Sequence, residues 1–178
     1  MRIISGIYKN REIMGYDISG TRPTMDRVRE SLFSVIQGYI KDSVVLDLFA
    51  GTGALGFECL SMGSSKCYFV DKNIVSINTI KSTASKFGES NLEALNYDYN
   101  KALNSFVSNG ISFDVIFLDP PYNMGVIGDI INFIYSNNLL NKGGIIVTEF
   151  ENDFVCNKYD VIKDKKYGSK KVRVYKNN

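Results

Sequence analysis

Asp47-Leu-Phe-Ala-Gly-Thr-Gly-Ala-Leu-Gly56 joins two apolar segments of different character. Ser43-Val-Val-Leu-Asp-Leu48 is short and β-branched, as a buried strand should be. Ala54 to Met62 is longer and ends at Gly63, as a helix should. Gly51 and Gly53 let the backbone turn tightly between them and let a ligand lie close to the main chain. A turn at the carboxyl end of a central strand is where open α/β sheets bind ligands.

The same alternation continues downstream. Lys66–Asp71 reads as a strand, Ile74–Phe87 as a helix closed by Gly88, and Asn91–Tyr97 as a strand. Tyr99–Val107 is a helix, Phe113–Leu118 a strand, Val126–Tyr135 a helix and Gly144–Glu149 a strand. The stretches 154–163 and 169–176 suit a β-hairpin turning at Tyr167-Gly168. Upstream, 2–4 and 11–18 read as short strands around the polar turn Lys9-Asn10-Arg11. Val28, Leu32, Val35 and Tyr39 recur at helical spacing, so 25–40 is expected to be an amphipathic helix. Alternating helices and nearly all-apolar strands imply a parallel sheet covered on both faces, wound by right-handed crossovers.

Composition removes whole classes of chemistry. The 178 residues contain no histidine, which excludes Ser-His-Asp catalysis and any His-ligated metal. The three cysteines, Cys59, Cys67 and Cys156, form no CxxC pair and are expected to be free thiols, so neither a disulfide framework nor a metal is anticipated. No apolar run is long enough to span a bilayer, and no secretory leader is expected at the start, which together suit a cytoplasmic protein. The net charge of +2 conceals a division: residues 1–29 balance to +3, 30–157 to −7 and 158–178 to +6. Basic ends on one side of the molecule would suit phosphates, although Lys-rich termini also serve solubility alone.

The acids that end strands define a candidate site. Gly51-x-Gly53-x-x-Gly56 with Asp71 fits a dinucleotide fingerprint, but Asp47 four residues before Gly51 would repel a pyrophosphate. That carboxylate suits the cationic amino-acid end of S-adenosylmethionine. Asp71 is then placed for ribose hydroxyls and Asp98 for an adenine amino group. Leu118-Asp119-Pro120-Pro121-Tyr122 follows the fourth central strand at the same end of the sheet. Two prolines lock the backbone and remove two N–H donors, leaving the Asp119 carboxylate and the Pro120 carbonyl as acceptors. Such a pair can hold both hydrogens of an exocyclic base amine and point its lone pair at a methyl donor. Tyr122 can stack on a base drawn out of its helix.

These segments resemble the bacterial small-subunit ribosomal RNA guanine-N2 methyltransferases, the RsmD family. The resemblance runs through Arg2-Ile-Ile-Ser-Gly6, Thr21-Arg-Pro-Thr-Met-Asp-Arg-Val-Arg-Glu-Ser-Leu-Phe33, the glycine turn, Phe113 to Tyr122, Gly143-Gly144 and Lys166-Tyr-Gly168. It implies a Rossmann-like, seven-stranded class I methyltransferase fold, mostly parallel with a C-terminal antiparallel hairpin. It implies S-adenosylmethionine as cofactor and guanine N2 as acceptor, in an assembled or partly assembled small ribosomal subunit. By position it assigns Asp47, Ala50, Gly51, Gly53, Asp71 and Asp98 to the cofactor. It assigns Asp119, Pro120 and Tyr122 to the guanine, and Arg22, Arg27, Arg29 and Lys166 to RNA. Residues 1–24 become a short β extension with an RNA-facing loop, and 25–178 a single methyltransferase domain acting as a monomer.

Three rival readings accompany it. A DNA adenine-N6 methyltransferase would use the same Asp-Pro-Pro-Tyr loop but usually carries a sizeable target-recognition region. A nicotinamide-dependent oxidoreductase accounts for the glycines and Asp71 but leaves Asp119 idle. A non-catalytic RNA-binding module has no need of both an intact glycine turn and an intact Asp119.

Overall fold

The computed structural model of the chain describes residues 1–15, 23–121 and 124–178. Strands are β1 (Val44–Asp47), β2 (Lys66–Val70), β3 (Leu92–Leu95), β4 (Phe113–Leu118), β5 (Leu140–Phe150), β6 (Asp160–Tyr167) and β7 (Lys170–Lys176). Helices are α1 (Pro23–Ile36), α2 (Ala54–Ser61), α3 (Ile74–Phe87), α4 (Tyr99–Ser108) and α5 (Ile127–Ser136). All seven strands form one sheet in the order β3-β2-β1-β4-β5-β7-β6. The first five are parallel, and β7 enters antiparallel against β5 with β6 outside it.

Alternation along each strand divides the core in two. Val45, Val115, Phe117, Ile145 and Val147 face one cluster with α1, α2 and α3. Leu46, Ile116, Leu118 and Ile146 face the other with α4 and α5. Strand order reverses between β1 and β4, and this switch point opens a crevice outside their carboxyl ends. Local signals set the helix ends. The Asn73 side chain caps α3 through the Val75 amide, and Gly88 closes it in the left-handed region.

Several boundaries differ from expectation. The helix expected over 25–40 is α1 followed by a 3-10 turn, Gln37–Tyr39, that tightens at Gly38. The hairpin strand expected at 154–163 begins at Asp160, whereas its turn at Tyr167-Gly168 stands as read. The N-terminal strands reduce to a single bridge between Arg2 and Glu12, and residues 16–18 lie outside the described residues. The arm is held instead by the scaffold. Ile3, Tyr8 and Ile13 are buried in the α1–α3 cluster. Gly6 lies at φ +79°, where an added Cβ would fall 1.9 Å from the Ser61 carbonyl oxygen of α2. Residues 1–13 are therefore anchored on the core of the domain through Ile3, Tyr8 and Ile13.

Candidate active site

The glycine turn is stitched into the sheet by its own polar groups. The Ala50 N–H donates to the Val70 carbonyl at 2.9 Å, and the Gly53 N–H to the Ala50 carbonyl at 2.7 Å. Asp71, just past β2, accepts from the Gly51 N–H through Oδ2 and from the Asn73 N–H through Oδ1, each at 2.8 Å. Asp98, exposed just past β3, caps α4 by accepting from the Lys101 N–H at 3.0 Å. Asp47 is buried at the end of β1 and accepts from the Gly56 N–H at 3.2 Å.

The three glycines serve different ends. Gly56 packs on β2, where a Cβ would meet Phe69 at 2.2 Å and the Cys67 sulfur at 2.7 Å. Gly53 caps α2 at φ +79° with Ile80, Phe57 and Phe69 within 3.1 Å of a would-be Cβ. Gly51, at φ +54°, has no neighbour within 4 Å of that position, so its turn presents open backbone. This arrangement fits S-adenosylmethionine: exposed backbone at Gly51, a buried acid beside it for a cationic amine, and carboxylates at 71 and 98 for hydroxyl and amino donors. It does not fit a dinucleotide. The Gly56 N–H at the start of α2, which would serve a pyrophosphate, is taken by Asp47, whose charge would oppose the anion.

Asp119 leaves β4 across the switch point. Leu46 and Asp47 of β1 pair with Ile116 and Phe117 of β4, so the two acids end neighbouring central strands. Both carboxyls are raised to about 7. For Asp47 the chief cause is burial, opposed by the Gly56 hydrogen bond and reinforced by Asp119 and Asp71. Asp119 keeps one side open to solvent, yet the protein around its carboxyl displaces water; Glu149 adds to the rise and Lys170 opposes it. Pro120 is half-buried and Pro121 exposed, whereas Tyr122 and Arg22 lie outside the described residues.

Glu149 was legible only as the last polar residue of a strand, and Lys170 not at all. The structure pairs them beside Asp119, from β5 and β7. A sequence signal existed: each of the five parallel strands has an acid within three residues of its carboxyl end, namely Asp47, Asp71, Asp98, Asp119 and Glu149.

The arginines of α1 divide. Arg29 is buried, pairs with the wholly buried Glu58 of α2 at 3.3 Å and donates to the Arg2 carbonyl at 2.6 Å. Its assignment to RNA is thus corrected: it locks α1 and the N-terminal arm to α2. Arg27 is exposed, one helical turn before Ser31 on the same face. Ser31 receives hydrogen bonds from Lys165 at 3.2 Å and Tyr167 at 2.8 Å, so the C-terminal hairpin docks beside that face. Lys166 is exposed on the same hairpin, with Lys163. Of the basic residues at the start of the chain, Arg27 lies on the face beside the hairpin, whereas Arg11 stacks on Phe87 and donates to the Lys86 and Phe87 carbonyls of α3. Cys59 and Cys67 are buried free thiols pushed well up by burial, and Cys156 is free and half-buried.

Comparison with known proteins agrees with this geometry. Residues 1–176 match the family described as Conserved hypothetical protein 95. The chain is 32% identical to ribosomal RNA small subunit methyltransferase D of Haemophilus influenzae, over 99% of this chain and 94% of that protein. The Escherichia coli protein of the same name is 35% identical over 85% of this chain and 75% of its own. The solved structure of yhhF from E. coli superposes with a TM-score of 0.88 at 29% identity, covering 100% of this chain and 98% of that one. The Thermus thermophilus 16S rRNA N2 methyltransferase RsmC, solved with AdoMet and guanosine, shares the fold at a TM-score of 0.70 and 22% identity, over 92% of this chain and 45% of that one.

Proposed function

The chain belongs to the family described as Conserved hypothetical protein 95, with the small-subunit RNA methyltransferases D among its relatives, and we propose that it methylates N2 of a guanine in small-subunit ribosomal RNA. The observation that carries this reading is the meeting of Asp47 and Asp119 at the switch point, one beside the open glycine turn and one on the proline-locked loop.

S-adenosylmethionine, bound at the turn, supplies a methyl group activated by a sulfonium. Asp47 faces its cationic amine, Asp71 and Asp98 take its ribose and adenine, and Ala50, Gly51 and Gly53 shape the backbone beneath it. Asp119 in its ionised form is an acceptor only, and with the Pro120 carbonyl it holds the two N2 hydrogens of the guanine. That grip draws the nitrogen toward tetrahedral geometry and frees its lone pair. Tyr122 follows on the loop as the stacking partner of the base. Arg27 and Lys166, with Arg22, meet phosphates, keeping RNA on the basic side of an otherwise acidic rim. One chain supplies every group in this scheme, which therefore treats the protein as a metal-independent monomer acting in the cytoplasm. Among the described residues no helix is long and apolar enough to cross a membrane.

The test is methyl transfer from labelled cofactor to unmodified small subunits, naked ribosomal RNA and duplex DNA, with nucleosides identified after digestion. N2-methylguanosine from subunits is expected. Asp119→Ala should lower kcat by roughly 10²–10³-fold while cofactor binding stays intact. N6-methyladenine from DNA, or no transfer by protein that binds cofactor, would overturn the reading.

A further inference from the structure

We propose that Glu149 reads the N1–H of the target guanine and so decides which base is methylated, with Lys170 holding its carboxylate in place. This inference rests on the proposed transfer to guanine N2 and concerns how that site rejects other bases. Asp119 and the Pro120 carbonyl cannot do so. Guanine N2, adenine N6 and cytosine N4 all carry two hydrogens, and two acceptors would hold any of them. The neighbouring ring atom differs. Guanine N1 bears a hydrogen, whereas adenine N1 and cytosine N3 bear lone pairs. A carboxylate set beside the acceptor pair bonds the first and repels the others.

Glu149 stands in that place. Leu118 of β4 pairs with Thr148 of β5 in parallel register, so the next residues, Asp119 and Glu149, leave neighbouring strands side by side. Glu149, Pro120 and Pro121 line one cleft of about 290 Å³, also lined by Phe150 and Phe154, whose ring centroids are 4.9 Å apart. The Glu149 side chain is only 23% exposed, so a hydrogen bond to it is not lost to competing water. Lys170 meets one oxygen, Oε1. A carboxylate has a second, and Oε2 is the acceptor for N1–H. Lys170 also offsets the effect of Glu149 on the Asp119 carboxyl.

Base analogues separate this role from a structural one. Small subunits are reconstituted with 2-aminopurine at the guanine that the nucleoside assay identifies. The analogue keeps the N2 amine and replaces N1–H by a lone pair. The unaltered protein is expected to methylate it on the order of 10- to 100-fold more slowly than guanine. Glu149→Gln, whose amide can donate to a ring lone pair, should lose rate on guanine and gain on 2-aminopurine, inverting the preference. Equal rates on the two bases by the unaltered protein would overturn the proposal without recourse to any variant. So would a Glu149→Gln protein that binds cofactor yet keeps the original ratio. If the unaltered protein methylates no guanine in subunits, the underlying assignment fails first, and this one with it.

Discussion

The two sides of the crevice are built by different means. Past the carboxyl ends of β1, β2 and β3, three acids are committed to backbone: Asp47 to the Gly56 amide, Asp71 to those of Gly51 and Asn73, and Asp98 to that of Lys101. Around β5, β6 and β7, acids pair with side chains: Glu149 with Lys170, Asp153 with Lys171, and Asp164 with Arg173 at 2.6 Å. The first side uses its acids to set the shape of a turn. The second pairs side chain with side chain, so its charges can exchange partners with a ligand without unmaking a backbone turn. The difference suits a cofactor of constant shape on one side and a large RNA on the other. Helix α1 spans both, with Arg29 bound into the first and Arg27 facing the second.

The comparison breaks most readily at Arg29. Arg29→Met strands the buried Glu58 carboxylate and should cost about 3–5 kcal/mol, read by denaturant unfolding. A loss below 1 kcal/mol, accompanied by weaker RNA binding, would return Arg29 to the RNA side. Next in size is Gly56→Ala, which forces a methyl group onto Phe69 and Cys67 and should cost about 1–3 kcal/mol. The matching change on the other side, Gly168→Ala, meets open space and bears only the strain of φ +64°, about 1 kcal/mol. Equal costs would erase the distinction between a packed and an open side.

The pH dependence of Asp47 gives a smaller, signed effect. Its folded pKa of about 7 lies above the unfolded value near 3.8, so the folded state binds the extra proton between those limits. This group therefore favours folding most below pH 3.8, and its contribution is lost as the pH climbs to about 7. Thermal midpoints of the unaltered protein and Asp47→Asn should converge at acid pH and separate toward neutrality, with the variant higher. A cationic ligand reverses the preference. Cofactor affinity should rise with pH up to about 7 and flatten in Asp47→Asn, as calorimetry can measure. The smallest effect on stability belongs to Arg27→Ala, within about 0.5 kcal/mol. Its signature is a weaker hold on ribosomal subunits and a salt slope reduced by about 1.

What could be read in advance was whatever chemistry is local along the chain. The strand, glycine turn and helix around 47–61, the glycine stop of α3 and the Asp-Pro-Pro loop each depend on residues within one element of one another. Among the described helices, α1 was legible in the spacing of Val28, Leu32 and Val35, and α2 and α3 in the glycines that follow them. The misplaced pieces were those without a local signature. Residues 2–4 and 11–15 alternate like strands, but their apolar side chains fill gaps over α2 and α3 and leave only one bridge. Arg29 looks in sequence like its neighbour Arg27; a helical rotation of two residues turns it into the core.

The sequence by itself determined the order of strands and helices, the shape of the turn at 51–56 and the acids that end the parallel strands, because these follow from backbone sterics and periodicity over a few residues. Only the tertiary structure decided that β7 lies inside β6 against β5, that Glu149 and Lys170 flank Asp119, and that the hairpin touches Ser31 of α1. Those contacts join residues from 21 to 136 positions apart, and their partners are chosen by sheet register and by how the two faces pack.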